Sequence, residues 1–256
     1  MISKLSKIPL FKRLIPSFSI RILKFFKKNR GYFKIKNFYM FLDFLDPIDR
    51  EIILSQEYEK LEINFLLKQL NFLNANFFLD IGSNCGYYSM KIAIEFPEIK
   101  IFAFDPNKEA CFKFSKTLEK NFKITQKIKL YNFGLSNLNT KLNIKSLKKH
   151  GYAQTGGSSI EREYSKGTYA ESLEDFKIGG QIINITNSTV GIKIDVEGHE
   201  LKVLEGIQKI IKFNRCIIQI EIFKKDFPKI NKFLKLNNYK LIYNVEKRSN
   251  YFYKNF

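Results

Sequence analysis

FFLDIGSNCGYYS, residues Phe77 to Ser89, is the segment that predicts the fold of this chain. Its Phe-rich apolar start is typical of a buried parallel strand. Gly82 and Gly86 bracket a loop of small residues, and an apolar pattern that fits a helix resumes at Met90. Strand, glycine loop and helix form a unit in which the backbone approaches a ligand closely and the helix start offers free N–H groups. An ordinary strand-to-helix turn has the same pattern, so the interpretation depends on the rest of the chain.

Strands and helices alternate along the chain on both sides of this segment. Such alternation predicts a parallel sheet with helices on both faces. The expected elements are a strand or hairpin over 31–43, helices over 55–73, 108–120, 200–212 and 226–236, strands over 100–104, 127–133, 141–145, 168–176, 190–196 and 215–223, and a final antiparallel pair over 239–245 and 251–253. A turn is expected over 134–137. Residues 150–167 have little periodicity, which is typical of a substrate loop or of disorder.

Length and charge predict one ordinary domain over residues 51–256 with a basic N-terminal extension over residues 1–50. The formal net charge is +19, and the first 42 residues contain eleven Lys and Arg and no acid. Apolar residues interleave with these cations, which favours an amphipathic segment that contacts an anionic membrane through residues 1–30. A nucleic-acid partner is therefore not expected. Packing of the extension on the domain is the alternative.

Other features of the sequence predict a cytoplasmic protein. No apolar run is long enough to span a membrane, and the N-terminus lacks the pattern of a signal peptide. Three widely spaced cysteines, Cys85, Cys111 and Cys216, fit neither a disulfide framework nor a zinc site. If the extension binds lipid, we expect the protein at the inner face of the cytoplasmic membrane.

Acids stand at or near the ends of four predicted strands, at the sheet edge where ligands bind in such folds. They are Asp80, Asp105, Asp195 with Glu197, and Glu221. Acids at the ends of apolar strands are costly unless they are paired or bound, so the group indicates a ligand that carries positive charge. The G-x-G-x-x-G pattern of nicotinamide sites and the Gly-Lys-Ser/Thr pattern of phosphate loops are absent from the sequence.

Five segments, in this order and spacing, resemble the FkbM-type family of S-adenosylmethionine-dependent methyltransferases: DIGSNCGYYS, AFDP, GLSN, KIDVEGHELKVLEG and IQIEIF. The resemblance covers residues 58–223, and KIDVEGHE is its most specific part. It implies the α/β, Rossmann-like class I methyltransferase fold, with a seven-stranded, mostly parallel sheet, an antiparallel last strand and helices on both faces. Asn84 replaces the middle glycine of the general methyltransferase loop, a replacement that is usual in this family.

The resemblance also implies a role for each matched position. The residues that would hold the methionine end of S-adenosylmethionine are Asp80, Gly82, Ser83, Asn84 and Gly86. Asp105 would accept hydrogen bonds from the ribose hydroxyls, and Ser136 and Asn137 would lie near the adenine. A larger side chain at Gly82, such as valine, is expected to fill the cofactor's space and to leave the protein folded.

Methyl transfer to a hydroxyl requires an aligned acceptor and either a base or a metal. The candidate catalytic residues are Asp195, Glu197, His199 and Glu221. His199 is of a type that titrates near neutrality, although its place at a helix start also suits a capping role. Asp195 and Glu197 fall on the same side of an extended strand end. They could bind the cofactor's amino group, orient the acceptor or hold a divalent metal such as magnesium.

The sequence thus predicts an O-methyltransferase that acts on a hydroxyl of a sugar or surface-glycan precursor, the acceptor class that the resemblance implies. An acceptor carried on a lipid would suit the basic extension. The alternative is a non-catalytic protein that keeps the fold and binds a membrane or a glycan. The intact acids and glycines argue against such a loss of catalysis.

Overall fold

A seven-stranded sheet runs through the centre of the computed structural model, which describes residues 29–149, 152–160, 169–245 and 248–256. The basic segment of residues 1–28 lies outside the described residues, as do residues 150–151 and 161–168 of the predicted loop region. None of the described helices has the length and apolar character needed to cross a membrane.

The elements of the first half are, in chain order, β1 (Arg30–Ile35), β2 (Phe38–Asp43), α1 (Pro47–Ser55), α2 (Lys60–Leu73), β3 (Phe77–Ile81), α3 (Tyr87–Glu95), β4 (Lys100–Phe104), α4 (Lys108–Lys120), α5 (Phe122–Thr125), β5 (Ile128–Tyr131), β6 (Gly134–Ser136) and β7 (Thr140–Lys149). Those of the second half are β8 (Tyr152–Ala153), β9 (Tyr169–Ile178), α6 (Gly179–Ile182), β10 (Thr189–Ile194), α7 (Glu200–Gly206), α8 (Gln208–Phe213), β11 (Arg215–Glu221), α9 (Phe227–Leu236), β12 (Lys240–Val245) and β13 (Asn250–Lys254).

The order of the central sheet is β12-β13-β11-β10-β3-β4-β5. Strand β13 is antiparallel to both of its neighbours, and the strands from β11 to β5 are parallel to one another. The predicted fold, a mostly parallel seven-stranded sheet with an antiparallel last strand, is confirmed. Strand order reverses at β3, between β10 and β4, and ligands in such sheets bind at this point beyond the carboxyl ends.

Helices cover both faces of this sheet, which explains why its inner strands are apolar almost throughout. On one face, Leu66 and Leu70 of α2 and Phe114 of α4 join the core. On the other face, the core includes Val203 of α7 and Ile230 of α9. Burial on both sides leaves the strand ends as the place where polar side chains can gather.

The β1–β2 hairpin confirms the strand or hairpin predicted for this part of the extension. Its inner side chains, including Ile35, Met40 and Leu42, are buried in the same core cluster as α2 and β3. Residues 30–43 of the predicted extension therefore pack on the domain. A separate role for residues 1–28 stays a prediction.

The region after β5 differs most from the expectation. The turn predicted at 134–137 is largely strand β6, and the short strand predicted at 141–145 extends over all of β7. These strands form a second sheet of order β6-β9-β7-β8. The helix predicted over 200–212 is divided at Ile207 into α7 and α8. A Cβ at Gly206 would lie only 2.0 Å from the carbonyl oxygen of Ser136, so this helix end is packed directly on β6.

A buried lysine joins α1, α4 and the segment of residues 154–160, which we term the Thr155 loop. Lys113 Nζ lies 2.6 Å from Asp49 Oδ2 and donates to Thr155 Oγ1 at 2.9 Å. Asp46 Oδ2 accepts from both the N–H and the hydroxyl of Thr155, at 3.0 and 2.9 Å. Burial alone would lower the pKa of Lys113, but Asp49 and Asp46 raise it above its ordinary value, so the lysine stays charged.

Lys113→Met should lower the free energy of unfolding by about 3–5 kcal/mol, because it leaves two buried carboxylates without their cation. Urea denaturation measures the change. Lys116→Met is the matched control on the same helix. Lys116 forms a surface pair with Glu119, so this substitution should change stability little. Equal effects of the two substitutions would contradict a structural role of the buried network.

Candidate active site

A cavity of about 190 Å³ lies at the carboxyl ends of β3, β4, β10 and β11. Seven of the residues predicted for the site line it: Gly82, Asn84, Asp105, Asp195, Glu197, His199 and Glu221. The structure therefore brings the acids of three strand ends together around one space, as expected from the parallel sheet.

The glycine loop is fixed by its contacts with neighbouring backbone. Gly82 has a φ of +81°, and its N–H donates to Phe104 O at 2.9 Å. A Cβ on Gly82 would lie 1.8 Å from the carbonyl oxygen of Asp195. Gly86 also has a positive φ, and a Cβ there would overlap the ring of Phe114. The expectation that a larger residue at Gly82 leaves the protein folded is therefore wrong, because it would first collide with the end of β10.

Asp80 connects β3 to the following helix. Its Oδ2 accepts hydrogen bonds from Ser89 N at 3.1 Å and Ser89 Oγ at 2.6 Å, and its side chain is fully buried behind the loop. Within the described residues, three buried polar atoms along this loop have no hydrogen-bond partner: Asp80 Oδ1, Ser83 Oγ and Asn84 Oδ1. Buried polar atoms are nearly always paired in native structures, so this loop has capacity for a polar ligand.

Asp105 is the acid at the end of β4. Its two oxygens accept from Asn84 N and Asn107 N, each at 2.8 Å. Burial raises the pKa of Asp105 to about 6, although these two N–H donors act in the opposite direction. The carboxylate lines the cavity and keeps lone pairs for further donors.

Asp195 and Glu221 form a hydrogen-bonded pair of carboxyl groups beside Lys193. Burial would raise the pKa of Asp195, but the Lys193 ammonium, 3.0 Å from Asp195 Oδ2, and the bond from Glu221 hold it below its usual value. Burial and the neighbouring Asp195 raise the pKa of Glu221 to about 10. At neutral pH, Glu221 therefore keeps its proton and donates it to ionised Asp195.

A group of three carboxylates at this point has the composition of a magnesium site. One oxygen each of Asp195, Glu197 and Glu221 lies within 4.8 Å of the others, and carboxylate oxygens are the ligands that magnesium prefers. A divalent cation here would have to displace the proton of Glu221 and share Asp195 with the ammonium of Lys193. The same three groups can equally well accept or donate protons without a metal.

His199 lines the cavity as a neutral imidazole. Burial, and then the charge of Lys202, lower the pKa of His199 to about 4. Its Nε2 lies 3.0 Å from Ser136 Oγ, and its ring packs edge-on against Phe176. The predicted titration near neutrality is therefore wrong. The alternative capping role is also not observed, since within the described chain the side chain makes no capping hydrogen bond at the start of α7.

The cavity wall near the predicted adenine position is Gly134 and Leu135. The next two residues, Ser136 and Asn137, are engaged elsewhere: Ser136 with His199, and Asn137 Nδ2 with Glu205 Oε2 at 2.8 Å. Their contact with adenine, which the resemblance implies, stays a prediction.

Comparison with known proteins agrees with this geometry. The family model described as the methyltransferase FkbM domain matches residues 80–241, which is more than half of the chain. The chain belongs to the FkbM methyltransferase family. A search of the curated proteins finds no match.

Solved structures are similar to this chain at low sequence identity. The FkbM methyltransferase from Methylobacillus flagellatus is 15% identical, with a TM-score of 0.51 over 71% of this chain and 44% of that one. The present chain therefore spans less than half the length of that protein. The N-terminal domain of human METTL16 with SAH is 11% identical, with a TM-score of 0.43 over 77% and 70% of the two chains. TrmK from M. capricolum with S-adenosyl-homocysteine (SAH) is 16% identical, with a TM-score of 0.40 over 75% and 65% of the two chains.

The site of this FkbM methyltransferase domain includes residues that the sequence did not indicate. Glu59 lines the cavity, with a φ of 44°, and accepts a hydrogen bond from Tyr88 OH at 2.7 Å. The sequence did not indicate Glu59, because this residue falls inside the predicted helix over 55–73, whereas α2 begins only at Lys60. The Thr155 loop contributes Gly156, Gly157 and Ser158 to the wall. The glycines of the Thr155 loop indicated a functional loop in the sequence. Because the loop has no periodicity, the sequence could not predict that it lies against the cavity.

Gly82→Ala should destabilise this domain by roughly 2 kcal/mol or more, because alanine is strained at a positive φ and its Cβ would overlap the Asp195 backbone. Thermal or urea unfolding measures the loss. Gly31→Ala is the matched control, since a Cβ at Gly31 meets nothing within 4 Å. A Gly82→Ala protein as stable as the control would contradict the close crossing of the two strand ends.

Proposed function

We propose that this FkbM-family protein transfers a methyl group from S-adenosylmethionine to a hydroxyl of a sugar or glycan precursor at the cytoplasmic face of the membrane. The observation that carries the proposal is the meeting of Asp195, Glu197 and Glu221 beside the glycine loop and Asp105 in one cavity. When bound, the cofactor supplies a methyl group on a sulfonium that a nucleophile can displace.

Several features of the glycine-loop side support the cofactor. The unsatisfied Oδ1 of Asn84, a residue that lines the cavity, suits a ligand with an ammonium and a positive sulfur. Asp105, held by two backbone N–H groups, would accept hydrogen bonds from two ribose hydroxyls. Glycines at positive φ let the loop backbone pack directly on Asp195 and Phe114, which holds the loop beside the cavity.

The opposite side of the cavity suits an alcohol. Ionised Asp195 and the adjacent Glu197 would accept hydrogen bonds from a hydroxyl and take its proton as the methyl group arrives. Neutral His199 and protonated Glu221 add hydrogen-bonding groups that carry no charge. Sugars present several hydroxyl donors in a small space, and this set of acceptors matches them. Magnesium at the three carboxylates is the second possibility for activating the hydroxyl.

Asp105→Ala should weaken binding of SAH by about 1–3 kcal/mol, because charge-assisted hydrogen bonds to the ribose are lost. Isothermal titration with S-adenosylmethionine and with SAH measures this loss of affinity, and it also tests whether the protein binds either compound.

Since the pKa of Asp105 is about 6, affinity should be full above that pH and fall as the carboxylate is protonated below it. Asp105→Asn should remove this pH dependence. Unchanged affinity in both variants would exclude Asp105 from the site.

The acceptor class is tested by transfer of an isotopically labelled methyl group to a panel of sugars, nucleotide sugars and lipid-linked sugars. Mass spectrometry of the product should place the label on a sugar oxygen. A label on nitrogen or on a nucleobase would contradict the proposed acceptor. Tight SAH binding without transfer to any cellular extract would favour the alternative, a non-catalytic binding protein.

Asp195→Asn and Glu197→Gln keep side-chain shape and remove charge. Each should lower turnover by about a hundred-fold, with little change in SAH affinity, if these groups act on the acceptor. Glu171→Gln is the control, because Glu171 lies on β9 in the surface pair with Lys145.

A chelator separates the two mechanisms: activity that is lost and then restored by magnesium indicates a metal, and unchanged activity indicates direct proton transfer. Full turnover in both variants would move catalysis away from this pair.

A further inference from the structure

Aromatic rings gather on the outward side of the β1–β2 hairpin. Tyr32, Tyr39 and Phe41 lie on this side, together with Phe112 of α4, and we term these four residues the aromatic face. Ring centroids are 5.2 Å apart for Tyr32 and Phe41 and 5.9 Å apart for Phe41 and Phe112. Tyr32, Tyr39 and Phe112 remain 44%, 40% and 45% exposed. Contiguous exposed aromatic side chains of this kind mark an interaction surface more often than isolated ones do.

The charges around the aromatic face are positive. Lys120 Nζ lies 5.6 Å from the ring centre of Tyr32 and 5.5 Å from that of Tyr39, and Lys34 is exposed on the same side of β1. The acids of α4 beside the face are already in ion pairs: Glu109 with Arg30 and Glu119 with Lys116. Among the described residues, the unpaired charge near the rings is therefore cationic, and charge complementarity favours an anionic partner.

The N-terminal segment joins the fold at the edge of this face. Asn29 O accepts from Phe44 N at 2.8 Å, and Asn29 Nδ2 donates to Asp43 Oδ1 at 3.0 Å, which fixes the start of β1. Residues 1–28, outside the described range, contain eight Lys and Arg and no acid. Because this segment and the lysines of the aromatic face are both positively charged, charge repulsion opposes packing of the segment on the face. The segment and the face instead favour binding to the same anionic surface.

We propose that the aromatic face binds an anionic lipid bilayer, together with residues 1–28. Tyr and Phe rings flanked by lysines are the side chains that settle at the boundary between lipid headgroups and acyl chains. Nucleic acids also attract lysine and aromatic rings. However, the Ile, Leu and Phe residues interleaved with the cations of residues 1–28 gain from a bilayer and have no counterpart in a nucleic acid. The face does not depend on the proposed methyl transfer.

Tryptophan fluorescence tests the contact directly, because the chain contains no tryptophan. In the Tyr39→Trp variant of the 256-residue chain, vesicles of phosphatidylglycerol and phosphatidylcholine should shift the emission to the blue, and brominated lipid should quench it. Phe213→Trp is the matched control: Phe213 is 59% exposed and lies where the chain enters β11, at the amino ends of the strands. Its emission should not change. A Tyr39→Trp signal that stays unchanged on protein bound to vesicles would overturn the proposal.

Vesicle sedimentation measures how much the face contributes. Tyr32→Ser/Tyr39→Ser/Phe112→Ser should lower partitioning onto anionic vesicles by about ten-fold, whereas Phe213→Ser/Leu236→Ser, at two other exposed positions, should not. If the triple variant fails to fold, Lys120→Glu at the exposed end of α4 should also reduce binding. Wild-type partitioning in all folded variants would overturn the proposal. It would also be overturned if an RNA oligonucleotide bound wild type more tightly than the vesicles did and lost binding in the triple variant.

Discussion

One buried ammonium group organises the charges of this site. Lys193, on the central strand β10, is 5% exposed and lies 3.0 Å from Asp195 Oδ2, with the Tyr88 ring 4.9 Å from its Nζ. Burial would favour its neutral form, but Asp195, Asp80 and Glu59 raise its pKa, so it remains charged. Because Lys193 keeps Asp195 ionised, the proton of the pair stays on Glu221. The different states of two adjacent carboxyl groups therefore depend on a lysine behind them.

Among the described residues, that ammonium group does not balance all the acids around it. Asp80, Asp105, Glu59 and Asp195 all lie at this end of the sheet, and burial raises the pKa of the first three. Such a surplus is costly in a folded protein unless a ligand relieves it. A cofactor with an ammonium and a sulfonium would supply the missing positive charge where the uncompensated oxygens lie. The excess of acids at the site and the match to the FkbM family are independent observations, and both favour S-adenosylmethionine as the cofactor.

The parallel sheet and the acids at its strand ends could be predicted because both follow from local pattern. Apolar runs identify buried strands, and an acid at the end of each run must lie at the sheet edge. Glu59 and Lys193 could not be found in this way. Glu59 precedes helix α2 and has a positive φ, which the helical pattern of the sequence does not indicate. Lys193 has the sequence pattern of a solvent-facing residue in an alternating strand, and its pairing with Asp195 is visible only in the three-dimensional structure. The low pKa of His199 likewise follows from burial against Phe176, which belongs to a distant strand.

The two walls of the cavity are built from different kinds of structure. The floor consists of strand ends whose positions the sheet fixes, and the glycine loop is packed there without room for a Cβ. The other wall includes the Thr155 loop. Side chains anchor it, Thr155 to Asp46 and Lys113 and Ser159 Oγ to the carbonyl of Glu197 at 2.7 Å, and backbone hydrogen bonds join Ser159 to Lys145 of β7. All of these anchors lie outside the central sheet, so they can change without rebuilding it. Under the proposed function, the same fold would keep one cofactor while this loop, joined through Asp46 to the hairpin side of the molecule, would select the acceptor.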